Sequence, residues 1–169
     1  MDKTNHSVST RRARLSALAL AAVSASFAAT FPVHATESHH HTVVSADSIR
    51  WGAAPPSLPA GAQAAVLLGH PAQPGPFVIR LKFPTKYVIP PHRHSKDEMV
   101  TVISGQFRVG TGETLDRASM RALAPASFVH LPAGMPHFAA AEGETIVQIN
   151  GVGPFDVTYA HPEDDPRKQ

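Results

Sequence analysis

Phe77-Val78-Ile79-Arg80-Leu81-Lys82-Phe83 is apolar at every second position, with Arg80 and Lys82 in between, and Pro84 ends the run. A period of two fits a strand with one face in a core and the other in water, and does not fit a helix. Most of the chain that follows repeats this short-strand grammar. Apolar runs at residues 64–68, 98–103, 106–109, 127–131, 138–140, 145–149 and 156–159 are cut apart by Pro, Gly and Ser, the residues that end strands and make turns. Residues 43–51 are loosely strand-like, and the Pro/Gly stretch 52–61 is too rich in breakers for a helix. One helical candidate remains at residues 114–121, where a threonine cap precedes Asp116 and Arg117. About nine short strands with almost no helix predict an all-β domain, a double-sheet jelly roll or a related barrel. No internal repeat suggests a second copy of it.

The first 35 residues are not counted as fold. Lys3, Arg11, Arg12 and Arg14 make a positive opening, residues 15–29 are small and apolar without charge, and Val33-His34-Ala35 has small residues at −3 and −1 of a cleavage site. This is the pattern of a secretory signal, and the apolar stretch is too short and alanine-rich to span a bilayer. The competing reading, an amphipathic helix of a cytosolic protein, needs a polar face that this run lacks. Thr10-Arg11-Arg12-Ala13-Arg14-Leu15 is also similar to a twin-arginine signal, with Arg14 where phenylalanine is common. Sec and twin-arginine export both remain open, and the expected location is periplasmic or secreted.

Signal removal changes the charge. Four of the 15 Lys+Arg and one of the 13 Asp+Glu leave with it, so 11 bases face 12 acids and the net charge becomes −1 instead of +2. No basic stripe remains to hold nucleic acid, and nothing anchors the mature chain stably to a membrane. With no cysteine, it has neither disulfides nor thiol chemistry. The mature chain opens on Thr36-Glu37-Ser38-His39-His40-His41, and its histidine run is read as a frayed terminus that binds metal only adventitiously. Residues 36–63 form an N-terminal extension, 64–161 the barrel, and the charged tail 162–169 is expected to be disordered.

The chemistry gathers in two segments. In Pro90-Pro91-His92-Arg93-His94-Ser95-Lys96-Asp97-Glu98, the two histidines share one face of an extended chain and Glu98 shares their parity. Far downstream, Pro132-Ala133-Gly134-Met135-Pro136-His137 puts another imidazole just after a turn that can aim it back across a sheet. Imidazole nitrogens and a carboxylate oxygen suit first-row divalent ions, and no thiolate is present to favour a closed zinc or iron–sulfur site. Four such donors occupy four positions of an octahedron and leave two open, which fits iron, manganese, nickel or copper, with zinc if Glu98 swings away. Taken singly, each histidine reads as an ordinary core or surface residue; taken together, they read as a site. His130 is expected on the opposite face or at a rim, and His70 and His161, beside prolines, in solvent. Phe83, Met99, Phe107, Phe128 and Phe138 are the candidates for an apolar cavity wall, although each alone is equally a plain core residue.

The two segments resemble the paired motifs of the cupin superfamily. The first motif, G-x5-H-x-H-x3-E-x6-G, is matched by His92, His94, Glu98 and Gly105, with Lys86 at its first glycine. The second, G-x5-P-x-G-x2-H-x3-N, is matched by Pro132, Gly134 and His137, with Ala126 and Ala141 at its glycine and asparagine. The resemblance implies a single cupin-type double-stranded β-helix in which His92, His94, Glu98 and His137 hold one divalent transition metal. It also implies dioxygenase or isomerase chemistry on a small chelating molecule that is a hydroxy-ketone, phenolic or sugar-like, with Glu98 either completing the shell or acting as general base. A fold hosts many reactions, and the same site also fits a non-catalytic module that binds or senses a small molecule. Cupins commonly pair through sheet edges, so a homodimer is expected.

Overall fold

The computed structural model describes residues 41–169. The signal expected at residues 1–35, and His39 and His40 of the histidine run, lie outside the described residues; His41 is exposed.

Among the described residues, eleven strands form two antiparallel sheets. The six-stranded sheet runs in the order β1 (Gly52–Ala53), β2 (Gln63–Leu68), β3 (Gly75–Phe83), β10 (Thr145–Gly153), β5 (Glu98–Ser104), β8 (Phe128–Leu131). The five-stranded sheet runs β11 (Thr158–Tyr159), β4 (Val88–Arg93), β9 (His137–Ala141), β6 (Phe107–Thr111), β7 (Arg121–Leu123). The sheets face one another as a cupin jelly roll without closing into one continuous barrel. β3 and β10 are the spine, paired over their whole lengths from Thr145↔Phe83 to Gly153↔Gly75.

Alternation builds the core. Phe77, Ile79, Leu81 and Phe83 of β3 are buried, and Val147 and Ile149 of β10 and Val100 and Val102 of β5 join them from neighbouring strands. Ile89, Phe107, Val109 and Ala139 of the other sheet close the same cluster. Phe83 stacks on Tyr87 with ring centroids 5.0 Å apart and lies 6.1 Å from Phe107. Each such buried Val, Ile, Leu or Phe side chain stabilises the fold by about 1.5–3 kcal/mol.

Three local expectations fail, each because a side chain or a missing partner overrides propensity. Residues 114–121 do not form a helix: Asp116 Oδ1 accepts the Ala118 N–H at 2.9 Å and Ser119 Oγ donates to the Asp116 carbonyl, so polar side chains close a turn instead. Residues 43–51 hold one 3-10 turn, Ala46–Ser48, and pairing begins only at β1. Trp51 takes the Lys82 ammonium 4.5 Å over its ring. The tail folds into two 3-10 turns, Pro162–Asp164 and Pro166–Lys168. Buried Asp165 holds the Arg167 guanidinium there at 2.7 Å, and Arg167 also donates to the Val157 carbonyl.

Three four-residue turns share one design. In 84–87, 124–127 and 132–135 the fourth N–H bonds the first carbonyl, at 3.2, 3.0 and 3.1 Å. The third residue has positive φ in each: 63° at Lys86, 68° at Ala126 and 77° at Gly134. Lys86 and Ala126 are the two positions at which the motifs have glycine and this chain does not, so the backbone keeps the glycine conformation although the residue has changed. A left-handed non-glycine residue costs about 1–2 kcal/mol, while glycine adds up to roughly 1 kcal/mol of backbone entropy loss. Lys86→Gly and Ala126→Gly are each expected to raise stability by up to about 1 kcal/mol, seen as a Tm rise of a few degrees in thermal denaturation. A fall in Tm at both sites would refute this account of the turns.

Candidate metal centre

The site lies where the ends of three strands meet. His92 is on β4, His94 one residue beyond its end, Glu98 opens β5 in the opposite sheet, and His137 opens β9. His92 and His137 are direct cross-strand neighbours, with ring centroids 4.2 Å apart. The double proline makes this possible. Pairing between β4 and β9 is regular through Ile89↔Ala139, breaks at Pro90 and Pro91, and resumes at His92↔His137. Prolines cannot donate to the ladder, and the bulge they leave resets parity. Ile89 and His92 therefore both face inward, and His94 follows two residues on.

All four side chains are buried: His92 4 %, His94 5 %, Glu98 6 % and His137 3 % exposed. One ring nitrogen from each histidine lies within 4.8 Å of the others. The outer nitrogens are committed elsewhere. His92 Nδ1 meets the Pro90 carbonyl at 2.8 Å, His94 Nδ1 the Asp156 carbonyl at 2.5 Å, and His137 Nδ1 the Met135 carbonyl at 3.0 Å. A carbonyl only accepts, so each Nδ1 carries the proton and each Nε2 keeps its lone pair for the interior.

Glu98 Oε2 stands 3.3 Å from His137 Nε2 and 3.5 Å from His94 Nε2. The carboxylate faces both rings without the angles of a hydrogen bond, and both Nε2 atoms lack a hydrogen-bond partner among the described residues. Orphaned buried nitrogens are rare, and lone pairs facing a carboxylate call for a positive charge between them. Burial alone would raise the Glu98 carboxyl, but the neighbouring His137 and His94 outweigh it and hold the group well below the usual carboxylate range. Burial, with His137 and His94 beside it, pushes His92 down to about 3, so it is neutral. Burial also depresses His94, but the carboxylate of Glu98 and the Asp156 group outweigh it and raise its pKa. An ionised carboxylate and imidazole lone pairs converging in a dry pocket fit a divalent first-row ion.

One supporting residue, Asp156, comes from a place that carries no sequence signal; the others lie in the two motif segments. Asp156, in the turn before β11, gives its carbonyl to His94 while its carboxylate takes the Ser95 N–H at 2.9 Å and the Ser95 hydroxyl. Asp97 holds the Ala133 N–H at 2.8 Å and His130 Nε2 at 3.2 Å, and the Gly134 N–H donates to the His94 carbonyl at 2.8 Å. These bonds clamp the two motif loops together. His130 is half-exposed on the outer face, and His70 and His161 are exposed, as expected. Phe155 stacks on the His94 ring, with centroids 4.3 Å apart.

A cavity of about 540 Å³ opens from the four residues through the space between the sheets. Phe83 and Phe107 line it, but the other three aromatic and sulfur candidates do not. Met99 follows Glu98 on β5 and so takes the opposite face, paired with His130. Phe128 is 58 % exposed on edge strand β8. Phe138 follows His137 and packs outward with Met120 and Ala140, lying across Gly110, where a Cβ would come within 2.3 Å of its ring.

A family model described as "Domain of unknown function (DUF4437)" matches residues 42–167. No curated protein matches the chain. Among solved structures, the polyketide cyclase RemF from Streptomyces resistomycificus is 15% identical with a TM-score of 0.59, covering 76% of this chain and 92% of its own. A protein from Methylibium petroleiphilum PM1, proposed to be an acetylacetone dioxygenase, is 17% identical with a TM-score of 0.59, covering 76% and 86%. KdgF from Halomonas sp. is 22% identical with a TM-score of 0.51, covering 68% and 93%. At these identities the likeness carries the cupin fold.

Proposed function

This chain belongs to the DUF4437 family, a cupin-like domain, and from that premise we propose that it is an exported, mononuclear metalloenzyme of dioxygenase or isomerase type acting on a small chelating molecule. The observation that carries the proposal is the convergence of three committed imidazoles and one ionised carboxylate on the wall of a cavity. Neighbours of the same fold include a polyketide cyclase and a protein proposed to be an acetylacetone dioxygenase, which supports small-molecule chemistry without selecting a reaction. Export rests on the N-terminal residues alone, and a homodimer on the open edge at β8.

His92, His94 and His137 would hold the ion through Nε2, with Glu98 either completing the shell or standing free of it as the general base. A bound divalent ion supplies Lewis acidity toward a substrate oxygen. The residues themselves do the rest. The Nδ1–H bonds to Pro90, Asp156 and Met135 fix the rings, the apolar walls exclude water, and Glu98 Oε2, ionised and within reach of the cavity, accepts a proton from substrate.

The test starts with elemental analysis of protein exported by its own host, followed by oxygen uptake and product analysis with catechols, flavonols and hydroxy-ketones. Glu98→Gln keeps the shape and removes the base, so turnover is expected to fall about a hundredfold or more with most metal retained. Unchanged turnover would remove Glu98 from the mechanism. A stoichiometric ion with no turnover on any substrate would point instead to a non-catalytic binding or sensing module.

A further inference from the structure

The wall of the cavity carries information that its metal-binding end does not. Among the described residues, the polar side chains lining it outside the four-residue cluster are Ser57 and His70 alone. Both belong to loops whose neighbours Tyr159 and Phe155 pack on His92 and His94, and His70 Nδ1 is already taken by the Ala72 N–H at 3.1 Å. Everything between is aliphatic or aromatic, including Ile79 and Leu81 from β3, Phe107 from β6 and Val147 from β10. The main-chain polar groups behind this wall are paired in the β3–β10, β10–β5 and β6–β9 ladders. A ligand lying along the cavity therefore meets polar side chains near the four-residue cluster and only apolar ones along the rest of its length.

We infer that the substrate is a neutral, largely apolar molecule, aromatic or aliphatic in its body, that presents one compact oxygen head to the His92–His94–Glu98–His137 end. Of the classes the donor set admits, this selects phenolic and hydroxy-ketone molecules and excludes sugars, uronates and dicarboxylates. The oxygen head rests on the metalloenzyme reading; the apolar body rests on the wall alone. Each hydroxyl or carboxylate buried against such a wall loses its water without gaining a partner, at a cost of roughly tenfold or more in affinity. An apolar body of the size of a phenyl ring gains about 10- to 100-fold by the same burial. The volume suits a drug-sized molecule.

The experiment holds the head constant and varies the body. Full-length protein whose metal content has been measured is titrated calorimetrically with acetohydroxamate, benzohydroxamate, 2-naphthohydroxamate, 4-carboxybenzohydroxamate and gluconohydroxamate. Affinity is expected to rise about 10- to 100-fold from the methyl to the phenyl body, to hold or rise again for naphthyl, and to fall at least tenfold when the phenyl ring carries a carboxylate. The polyol body is expected to bind no better than methyl. A polyol or carboxylate body that binds as tightly as phenyl overturns the inference.

A second arm separates this from the metal reading. Metal-free protein is heated with saturating naphthalene or with mannitol, and only naphthalene is expected to raise the Tm. A protein that loads no metal yet is stabilised by naphthalene keeps the apolar body and loses the oxygen head. A protein that loads metal, prefers the polyol hydroxamate and ignores naphthalene keeps the metal reading and loses this one.

Discussion

His137→Ala is expected to weaken binding of a divalent ion by about a thousandfold, more than the roughly 10- to 100-fold typical of losing an outer-sphere partner. The loss corresponds to about 4 kcal/mol. Three features concentrate the effect on this residue. It is the proposed ligand from the second motif, it is the cross-strand neighbour of His92, and its Nε2 lacks any hydrogen-bond partner among the described residues, so its removal opens one whole side of the cluster. The metal-free variant is expected to unfold within about 2 kcal/mol of the parent, because the imidazole contributes crowding more than packing. His130→Ala is the control: it has the same residue type but lies half-exposed on the outer face with Asp97, and its metal affinity should be unchanged. Elemental analysis after dialysis against buffered metal measures both variants. If His137→Ala retains one ion per chain at parental affinity, the proposed centre is wrong.

Gly105→Ala is expected to cost about 3 kcal/mol or more of folding stability, a large part of the 5–15 kcal/mol typical of a domain. Gly105 turns β5 into β6 with φ 78°. A Cβ there would stand 2.3 Å from the Glu144 carbonyl oxygen and 2.6 Å from Thr145 Oγ1. Neither can retreat: Thr145 is fully buried, takes the Gln106 N–H at 3.2 Å and reaches the Gly143 carbonyl at 3.0 Å. Gly134 provides the comparison, because its φ is 77° but nothing lies within 4 Å of an added Cβ. Gly134→Ala should therefore cost only the conformational part, about 1–2 kcal/mol. Urea unfolding distinguishes the two. Equal costs would mean that the contact with Glu144 is not what excludes a side chain from position 105.

The residues that were legible in advance are those governed by short-range rules. The β3 alternation placed Phe77, Ile79, Leu81 and Phe83 inward, and all four are buried. The same rule, applied strictly, assigns Met99 and Phe138 to the face opposite Glu98 and His137, and both are found there. Their hydrophobic character suits a cavity wall, but parity turns both away from it. Residues 114–121 were misread because a threonine cap and nearby charges are helix signals only where no side chain offers the backbone a competing bond, and Asp116 offers one. The ordered tail turns on a single buried pair, Asp165 with Arg167, which a charged octapeptide does not advertise.

From residue order alone came an all-β chain, the common face of His92 and His94, and the candidacy of Glu98 and His137, because side-chain parity and turn chemistry act over a few residues. Tertiary structure alone decided that His137 stands opposite His92 across a proline-induced bulge, and that the Asp156 carbonyl, 62 residues away, sets the His94 ring. It alone decided that the cavity above the cluster is apolar along its length. Those outcomes depend on which strands pair and in what register, and register is settled by burial of whole sheet faces against each other, a property of the assembled core and of no single segment.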